Sequence, residues 1–469
     1  MVLRSATTSG RGWATLALAV VLVLTACSSS EDRSEEGFTE MDPGSGTLVA
    51  SSGFDVRRDG FSFPNWGPPT AEHGRGLTPA SMQSLFGDAV CTPGTESAQC
   101  VLSPMGRVTS EVFENGMNGG HCFGMAAVAG LAYRNSIDTS SFVAPGATLF
   151  DARPSPATDA VIARYFNTQE VEPTADSEMS EPVDEVIDRL TSAWAEGQDH
   201  LLAFYTEDGT SGHAVTPIAI RDLGDSKRGI VIYDNNYPGV EKMIVTDPAA
   251  DTWYYTTSAD PADDSYLFSG TPDNQLKLFP LAEMTGVHRC PSCTEVGEPG
   301  QDYLVLVTDD TNDPVDATDV EWSLSVSDTD RVRRSAFINN DNTALLETST
   351  DTPMRLTLSD VADNDRDASI DISILSDGWV VRSTSLRLPA GASIVAEVSP
   401  TERSLTLTTD APTTSDYTVA IEDARGSRSA FVSTIDLPVG GNLVVAPTDT
   451  DTLRLSDGAG QVLREVAMT

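Results

Sequence analysis

The most uniform apolar stretch of the chain follows a pair of glycines. Residues 122–133 are all small or apolar, with neither proline nor charge before Arg134, and Gly119 and Gly120 lie just ahead of them. This pattern predicts a tight turn followed by a buried helix, with Cys122 in its first turn. Unpaired backbone N–H groups and the helix dipole favour thiolate over thiol at such a position. The pattern therefore predicts a reactive thiol at Cys122.

Two apolar stretches farther along the chain predict a pair of antiparallel strands. The first, within residues 211–220, begins close to His213 and alternates in a way that predicts one core-facing side. The second, residues 229–233, ends at Asp234. Polar residues 222–228 between them predict a hairpin loop, so the two stretches should pair with each other.

The chain order of these polar residues suggests a catalytic triad. A cysteine, then a histidine, then an acid or amide is the order expected of a thiol nucleophile, its base and the group that orients the base. Cys122, His213 and Asp234 are the predicted members. Asn235 and Asn236 remain alternatives for the third member, because neighbouring side chains on a strand point to opposite faces.

These three ordered motifs resemble the papain-like cysteine peptidase superfamily over roughly Phe54 to Cys293, although each motif alone would be weak. The resemblance implies an α+β catalytic domain that hydrolyses a peptide or protein substrate without a cofactor or metal. It also implies an oxyanion site made by the Cys122 N–H and a nearby side-chain amide. Such enzymes usually supply that amide from a glutamine, which is missing here, so Asn118 and Asn115 are the candidates.

Three other functions remain open at the level of sequence. A transglutaminase-like acyl transferase would use the same triad. A surface adhesion or scaffold lipoprotein could carry an inactive papain-like domain. A metal hydrolase would need His121, Cys122, His213 and Asp234 to converge on one ion.

The remaining pattern divides the chain into regions of different character. Helices are predicted at 79–86, 107–114, 159–166 and 182–196, followed by a strand at 200–206. Residues 54–66 form an aromatic segment whose side chains are expected to pack on the catalytic domain.

The second part of the chain changes to short alternating strands. From Tyr303 onward these strands are separated by Asp, Gly, Pro, Thr and Asn turns, which predicts an all-β sandwich region of one module, or of two with a break near residue 390. The expected order is a signal peptide at 1–27, a disordered tether at 28–50, the papain-like domain at 51–298 and the sandwich region at 299–469.

The amino terminus predicts export. Arg4 and Arg11 precede or adjoin an apolar run at 13–24, and the Leu-Thr-Ala-Cys sequence that ends at Cys27 resembles a bacterial lipobox. This resemblance implies lipidation of Cys27 and attachment to the outer face of the cytoplasmic membrane. An ordinary secretory signal is the alternative.

The cysteines agree with an oxidising location. Apart from the predicted lipidated residue and the nucleophile, four remain: Cys91, Cys100, Cys290 and Cys293. The first two flank a Thr-Pro-Gly turn and the last two are separated by two residues, so two local disulfides are expected in a secreted chain. A four-thiolate zinc site, with His288 nearby, is the alternative.

Charge excludes one class of partner. The chain of 469 residues carries 70 acidic side chains against 29 lysines and arginines, a net charge of −41. A nucleic-acid backbone would be repelled by such a surface. The spread of the acids indicates a solvated acidic exterior.

Overall fold

A computed structural model describes residues 40–293, except 75, 96–98, 207–210, 258–264 and 291. From residue 302 it describes the strands and part of the turns, omitting 310–319, 326–331, 335–342, 350–353, 361–367, 377, 400–402, 424–425, 438, 441 and 449–451, with backbone alone for the strands of 302–349. The predicted lipidation residue Cys27 and the signal peptide lie outside the described residues, as does the tether as far as residue 39.

The first part of the chain combines five α-helices with one antiparallel sheet of nine strands, counted over the described residues. The helices are α1 (Pro79–Phe86), α2 (Pro104–Gly116), α3 (Cys122–Tyr133), α4 (Pro156–Phe166) and α5 (Val183–Ala195). The strands are β1 (Thr47–Ser51), β2 (Met179–Ser180), β3 (His200–Tyr205), β4 (Gly212–Gly224), β5 (Lys227–Tyr233), β6 (Glu241–Asp247), β7 (Thr252–Thr257), β8 (Tyr266–Gly270) and β9 (Lys277–Pro280). They are arranged in the order β2-β9-β3-β4-β5-β6-β7-β8, and β1 also pairs with β4.

The helix starts follow from capping residues. The Thr78 hydroxyl accepts the backbone N–H of Ser81 and Pro79 occupies the first turn of α1, so the helix predicted at 79–86 is confirmed. Helix α4 begins at Pro156, with the hydroxyl of Ser155 as its cap, three residues before the predicted start. The prediction began too late because it followed apolar spacing, whereas a proline that needs no N–H partner opens the helix.

The hairpin between β4 and β5 is tighter than predicted. Asp225 and Ser226 alone form the turn, with φ angles of 49° and 64°. Two consecutive positive φ values match the right-handed twist of the strands that they join. The strands therefore extend into the predicted loop, where Asp222 pairs with Arg228 at 3.0 Å between Oδ1 and Nη1.

Strand β4 has the predicted core-facing side, and its other face is buried as well. On one face Ala214 and Ile218 belong to the core that contains α3. On the other, Val215 and Ile220 pack in a second core with residues of α5. Helices cover both faces of the sheet here, so the residues around His213 are shielded from water on each side.

The second part of the chain forms two seven-stranded antiparallel sheets. Their strands are β10 (Asp302–Asp309), β11 (Val320–Ser325), β12 (Val332–Arg334), β13 (Thr343–Ser349), β14 (Met354–Asp360), β15 (Ala368–Ser376), β16 (Trp379–Leu388), β17 (Ser393–Ser399), β18 (Ser404–Thr409), β19 (Thr413–Asp423), β20 (Gly426–Leu437), β21 (Asn442–Pro447), β22 (Thr452–Asp457) and β23 (Val462–Ala467). One sheet has the order β12-β13-β10-β15-β16-β19-β20 and the other β11-β14-β17-β18-β21-β22-β23.

A single core joins these two sheets. Leu356 and Leu358 of β14 pack in the same cluster as Ile372 of β15 and Val381 of β16. This arrangement confirms the predicted sandwich-like region. Each sheet uses strands from both sides of residue 390, so the described strands form one interleaved sandwich rather than two modules divided at that point.

The sandwich packs directly on helix α2. Leu375, Val380 and Ala420 are buried in the core of the first part of the chain rather than between the two sheets. Arg382 Nη1 also lies 3.3 Å from Glu111 Oε2 on α2. Because α2 leads to the turn before Cys122, the sandwich supports the region that carries the predicted nucleophile.

This shared core predicts a stability effect across the contact. Val380→Ala should lower the free energy of unfolding of the first part of the chain by about 2 kcal/mol, since it removes two buried methyl groups from its core. Val439→Ala, at a valine that is 62% exposed in the sandwich, should change it by less than about 0.5 kcal/mol. The measurement is the urea midpoint at which the Cys122 thiol becomes accessible to a maleimide. Equal midpoints for both variants would contradict the shared core.

Both predicted disulfides are present. Cys91 bonds to Cys100, and Cys290 bonds to Cys293. The four-thiolate zinc alternative is therefore wrong, because these bonds consume all four thiols. Disulfides of this kind are consistent with an extracytoplasmic location. Among the described residues, no helix is long and apolar enough to cross a membrane.

Candidate active site

Cys122 begins helix α3. A 3₁₀ turn, Met117–Gly119, leads into Gly120, whose φ of 144° favours glycine, and His121 then occupies the N-cap position. Cys122 is the free cysteine of the described residues and is 1% exposed. The predicted tight turn, followed by a buried helix with the thiol in its first turn, is confirmed.

His213 and Asp234 form a buried pair. The Nε2 atom of His213 lies 2.8 Å from Oδ1 of Asp234, and both side chains are 0% exposed. The same Oδ1 accepts the backbone N–H of Asn236 at 2.8 Å. The other carboxylate oxygen accepts the hydroxyls of Tyr255, at 2.7 Å, and Thr257, at 3.1 Å. These bonds fix the carboxylate and, through it, the plane of the imidazole.

The electrostatics favour a charged pair. Burial alone would lower the pKa of His213, but the charge and hydrogen bond of Asp234, followed by those of Cys122, raise it to about 10. Burial also acts to raise the pKa of Asp234, yet the imidazolium and the Asn236 N–H lower it overall. At neutral pH the pair is therefore imidazolium and carboxylate.

The second nitrogen of the His213 ring is not used by Asp234. Nδ1 is buried and has no nitrogen or oxygen partner among the described residues. Cys122 contributes to the raised pKa of the ring, so its side chain lies near His213, and Nδ1 is the ring nitrogen that Asp234 leaves open. The structure thus pairs His213 with Asp234 and places Cys122 close enough to influence the ring; that the three residues act as a triad stays a prediction.

Neither asparagine side chain takes the place of Asp234. The Nδ2 group of Asn235 donates to the carbonyl oxygens of Cys122, at 3.1 Å, and Ala214, at 2.9 Å. Asn236 contributes its backbone N–H to Asp234. The group that hydrogen-bonds the His213 ring is the carboxylate.

The two predicted oxyanion amides differ in position. Asn118 lies in the 3₁₀ turn just before the nucleophile, is half-buried, and makes no side-chain hydrogen bond within the described part of the chain. Its amide is therefore available to a ligand. Asn115 lies in the last turn of α2, and its side chain is outside the described residues.

A segment ahead of α1 packs against the start of α3, which the sequence did not suggest. Asn65 Oδ1 accepts the backbone N–H of His121 at 2.7 Å, and its own N–H donates to the carbonyl of Asn235 at 3.0 Å. The Trp66 carbonyl oxygen lies 2.8 Å from His121 Nδ1. The indole ring of Trp66 stacks on the rings of His121 and His73. No spacing in the sequence links these residues to Cys122, so only aromatic packing was predicted for 54–66.

The same segment is fixed to α4 by a second histidine. His73 Nδ1 lies 3.0 Å from Oδ1 of Asp159, whose Oδ2 accepts the N–H of Gly74. Gly76 follows with φ of 86°, and a Cβ there would lie 2.5 Å from the Asp159 carbonyl oxygen. The backbone therefore approaches α4 more closely than any residue with a side chain would allow.

The metal-hydrolase alternative lacks a ligand set. His213 directs Nε2 to Asp234, and His121 directs Nδ1 to the Trp66 carbonyl. Across the residues that the structure describes, no three His, Cys, Asp or Glu side chains are grouped to hold a metal ion. The convergence that this alternative requires is absent from the described site.

The described site contains a buried imidazole–carboxylate pair with a buried thiol nearby. Such an arrangement can ionise a sulfur nucleophile and return a proton to a leaving group.

Comparison of the chain with family models, with curated proteins and with solved structures gives no match.

Proposed function

We propose that the chain is a cysteine hydrolase of papain-like type that acts on peptide or protein substrates. The observation that supports this function is the buried His213 ring: Nε2 faces Asp234, Nδ1 has no nitrogen or oxygen partner among the described residues, and both Asp234 and Cys122 raise the pKa of the ring. A histidine buried only for packing would not need a carboxylate held by four hydrogen bonds.

The proposed reaction begins from an ion pair within the triad. In the resting site the thiol proton of Cys122 has already moved to Nδ1 of His213, so the imidazolium that Asp234 stabilises faces a thiolate. The sulfur then attacks the substrate carbonyl carbon and forms a C–S bond, while the electrons of the C=O π bond move to the carbonyl oxygen. When the tetrahedral intermediate collapses, the C–N bond breaks and Nδ1–H protonates the leaving amine. Water, deprotonated by His213, hydrolyses the remaining thioester and regenerates the thiol.

The oxyanion requires donors near the sulfur. The Cys122 N–H lies at the first position of α3, where helix N–H groups have no partner four residues back. We assign the second donor to the amide of Asn118, with Asn115 as the alternative. Hydrogen bonds of this kind stabilise the transition state because they are oriented before charge develops.

The proposed location is outside the cytoplasmic membrane, with the chain anchored through a lipid on Cys27. Two disulfides support an oxidising compartment. The lipobox-like sequence before Cys27 supports the anchor.

The acyl-enzyme intermediate tests this function directly. When the full chain is mixed with p-nitrophenyl acetate, we expect an acetyl thioester on Cys122, detected by mass spectrometry of the peptide and released by hydroxylamine. Cys122→Ala should remove the adduct. Slow acetylation at the rate of an ordinary thiol would contradict the enzyme and favour a scaffold protein. Incorporation of an added amine, with release of ammonia from a glutamine peptide, would instead identify an acyl transferase.

A further inference from the structure

Asn235 occupies the junction between the nucleophile's helix and the histidine's strand. Its fully buried amide donates both Nδ2 hydrogens, one to the carbonyl of Cys122 and one to that of Ala214. Ala214 follows His213 on β4, and Asn235 itself follows Asp234. One side chain is therefore bonded to Cys122 and to the residue that follows His213, and it is adjacent in the chain to Asp234.

A second asparagine closes a ring of hydrogen bonds around the nucleophile. The N–H of Asn65 donates to the Asn235 carbonyl at 3.0 Å, and Asn65 Oδ1 accepts the N–H of His121 at 2.7 Å. The peptide bond between His121 and Cys122, followed by the Asn235 amide, completes the ring. Each link restrains the next, so the first residue of α3 has a fixed position relative to β4.

A separate contact joins the same two elements one turn farther along. The Thr216 hydroxyl on β4 donates to the Ala126 carbonyl on α3 at 3.3 Å. This contact stabilises the packing of α3 on the sheet but adjoins none of the triad residues. It provides a natural control, because its loss should weaken the packing without changing the approach of Cys122 to His213.

We propose that Asn235 is a positioning residue, which holds the Cys122 sulfur within reach of His213 Nδ1 by joining α3 to β4. It acts through the backbone of Cys122 and Ala214 and does not touch the reacting atoms. This role depends on the proposed function, since positioning matters only if the imidazole activates the sulfur.

The test compares two variants that each remove one link between α3 and β4. Asn235→Leu keeps the branched shape of the side chain but removes both Nδ2 bonds; Oδ1 has no partner among the described residues, so its loss removes no other hydrogen bond. We expect the rate of Cys122 alkylation by iodoacetamide in the full chain at neutral pH to fall by at least about tenfold. Thr216→Val should leave this rate within about twofold of the wild type, even if it lowers the melting temperature as much as Asn235→Leu does.

A double-mutant cycle separates positioning from general destabilisation. His213→Ala should slow alkylation in the wild-type background but add little in the Asn235→Leu background, because the imidazole no longer assists the sulfur there. An unchanged or faster rate in Asn235→Leu, or an equal loss in Thr216→Val, would overturn the inference.

Two other outcomes of this experiment have defined consequences. If His213→Ala leaves the wild-type rate unchanged, the proposed function fails, whatever Asn235 does. Should Asn235→Leu not fold, Asn235→Ala replaces it, because the smaller side chain leaves room for water to satisfy the two carbonyls. The same loss of rate is expected from it, and a wild-type rate would again overturn the inference.

Discussion

Asp234→Ala is expected to lower the free energy of unfolding by about 3–5 kcal/mol, the usual cost of removing one partner of a buried ion pair. The substitution leaves a buried imidazolium uncompensated, and the Tyr255 and Thr257 hydroxyls and the Asn236 N–H also lose their acceptor. Denaturant unfolding at neutral pH measures the effect.

Asp222→Ala is the matched control. Asp222 pairs with Arg228 in the same hairpin, but their side chains are 45% and 32% exposed. Exposed pairs contribute little because water and salt screen them, so a loss below about 1 kcal/mol is expected. Equal losses in the two variants would show that burial of the Asp234 pair does not determine its contribution.

The stability difference between wild type and Asp234→Ala should also depend on pH. The pKa of Asp234 is lowered on folding, so its contribution is present above the unfolded carboxyl pKa and is lost as the pH falls through the folded value. The pKa of His213 is raised from 6.5 to about 10, so its contribution is complete below 6.5 and is lost as the pH rises toward 10. The difference should therefore be largest in mildly acidic solution and decrease on both sides.

His213→Ala is expected to slow the formation of the acetyl thioester on Cys122 by about 10²–10⁴-fold, the range in which a positioned general base contributes. Without the imidazole, no described group remains to take the thiol proton and provide the thiolate that displaces p-nitrophenolate. Single-turnover acetylation by p-nitrophenyl acetate, followed by mass spectrometry, measures the rate. His213→Gln can still hydrogen-bond to Asp234, so it should fold yet show the same loss.

His200→Ala controls for the removal of a buried imidazole. His200 lies on β3, and burial, followed by the charge of Arg189, lowers its pKa to about 4. It is therefore neutral at the assay pH and has no contact with the proposed triad. A comparable loss of acetylation in His200→Ala would attribute the His213 effect to packing rather than to proton transfer.

Local pattern was enough for the individual elements. The apolar run after Gly120 predicted α3 with Cys122 at its start, and the apolar run before Asp234 predicted β5. Both predictions succeeded because backbone preferences and side-chain periodicity act within a few residues. The helix starts at Pro104 and Pro156 were placed too late, because apolar spacing does not indicate where a cap lies.

Contacts between elements far apart in the chain could not be predicted in this way. The sequence offered three possible third members of the triad, and only the path of β5 relative to β4 put Asp234, rather than Asn235 or Asn236, on the ring. The same holds for Tyr255 on β7, which reaches the carboxylate across the sheet. Strand order and register determine such contacts, and the hydrophobic periodicity of a single strand predicts neither of them.

By itself the sequence determined the helix that carries Cys122, the paired cysteines, the acidic surface and the β-rich second part of the chain, because each depends on composition or on neighbouring residues. Only the tertiary structure decided that Asn65 and Asn235 restrain the start of α3, that β4 is covered on both faces, and that the sandwich packs on α2. These contacts join residues far apart in the chain, and their free energy depends on how whole elements pack together.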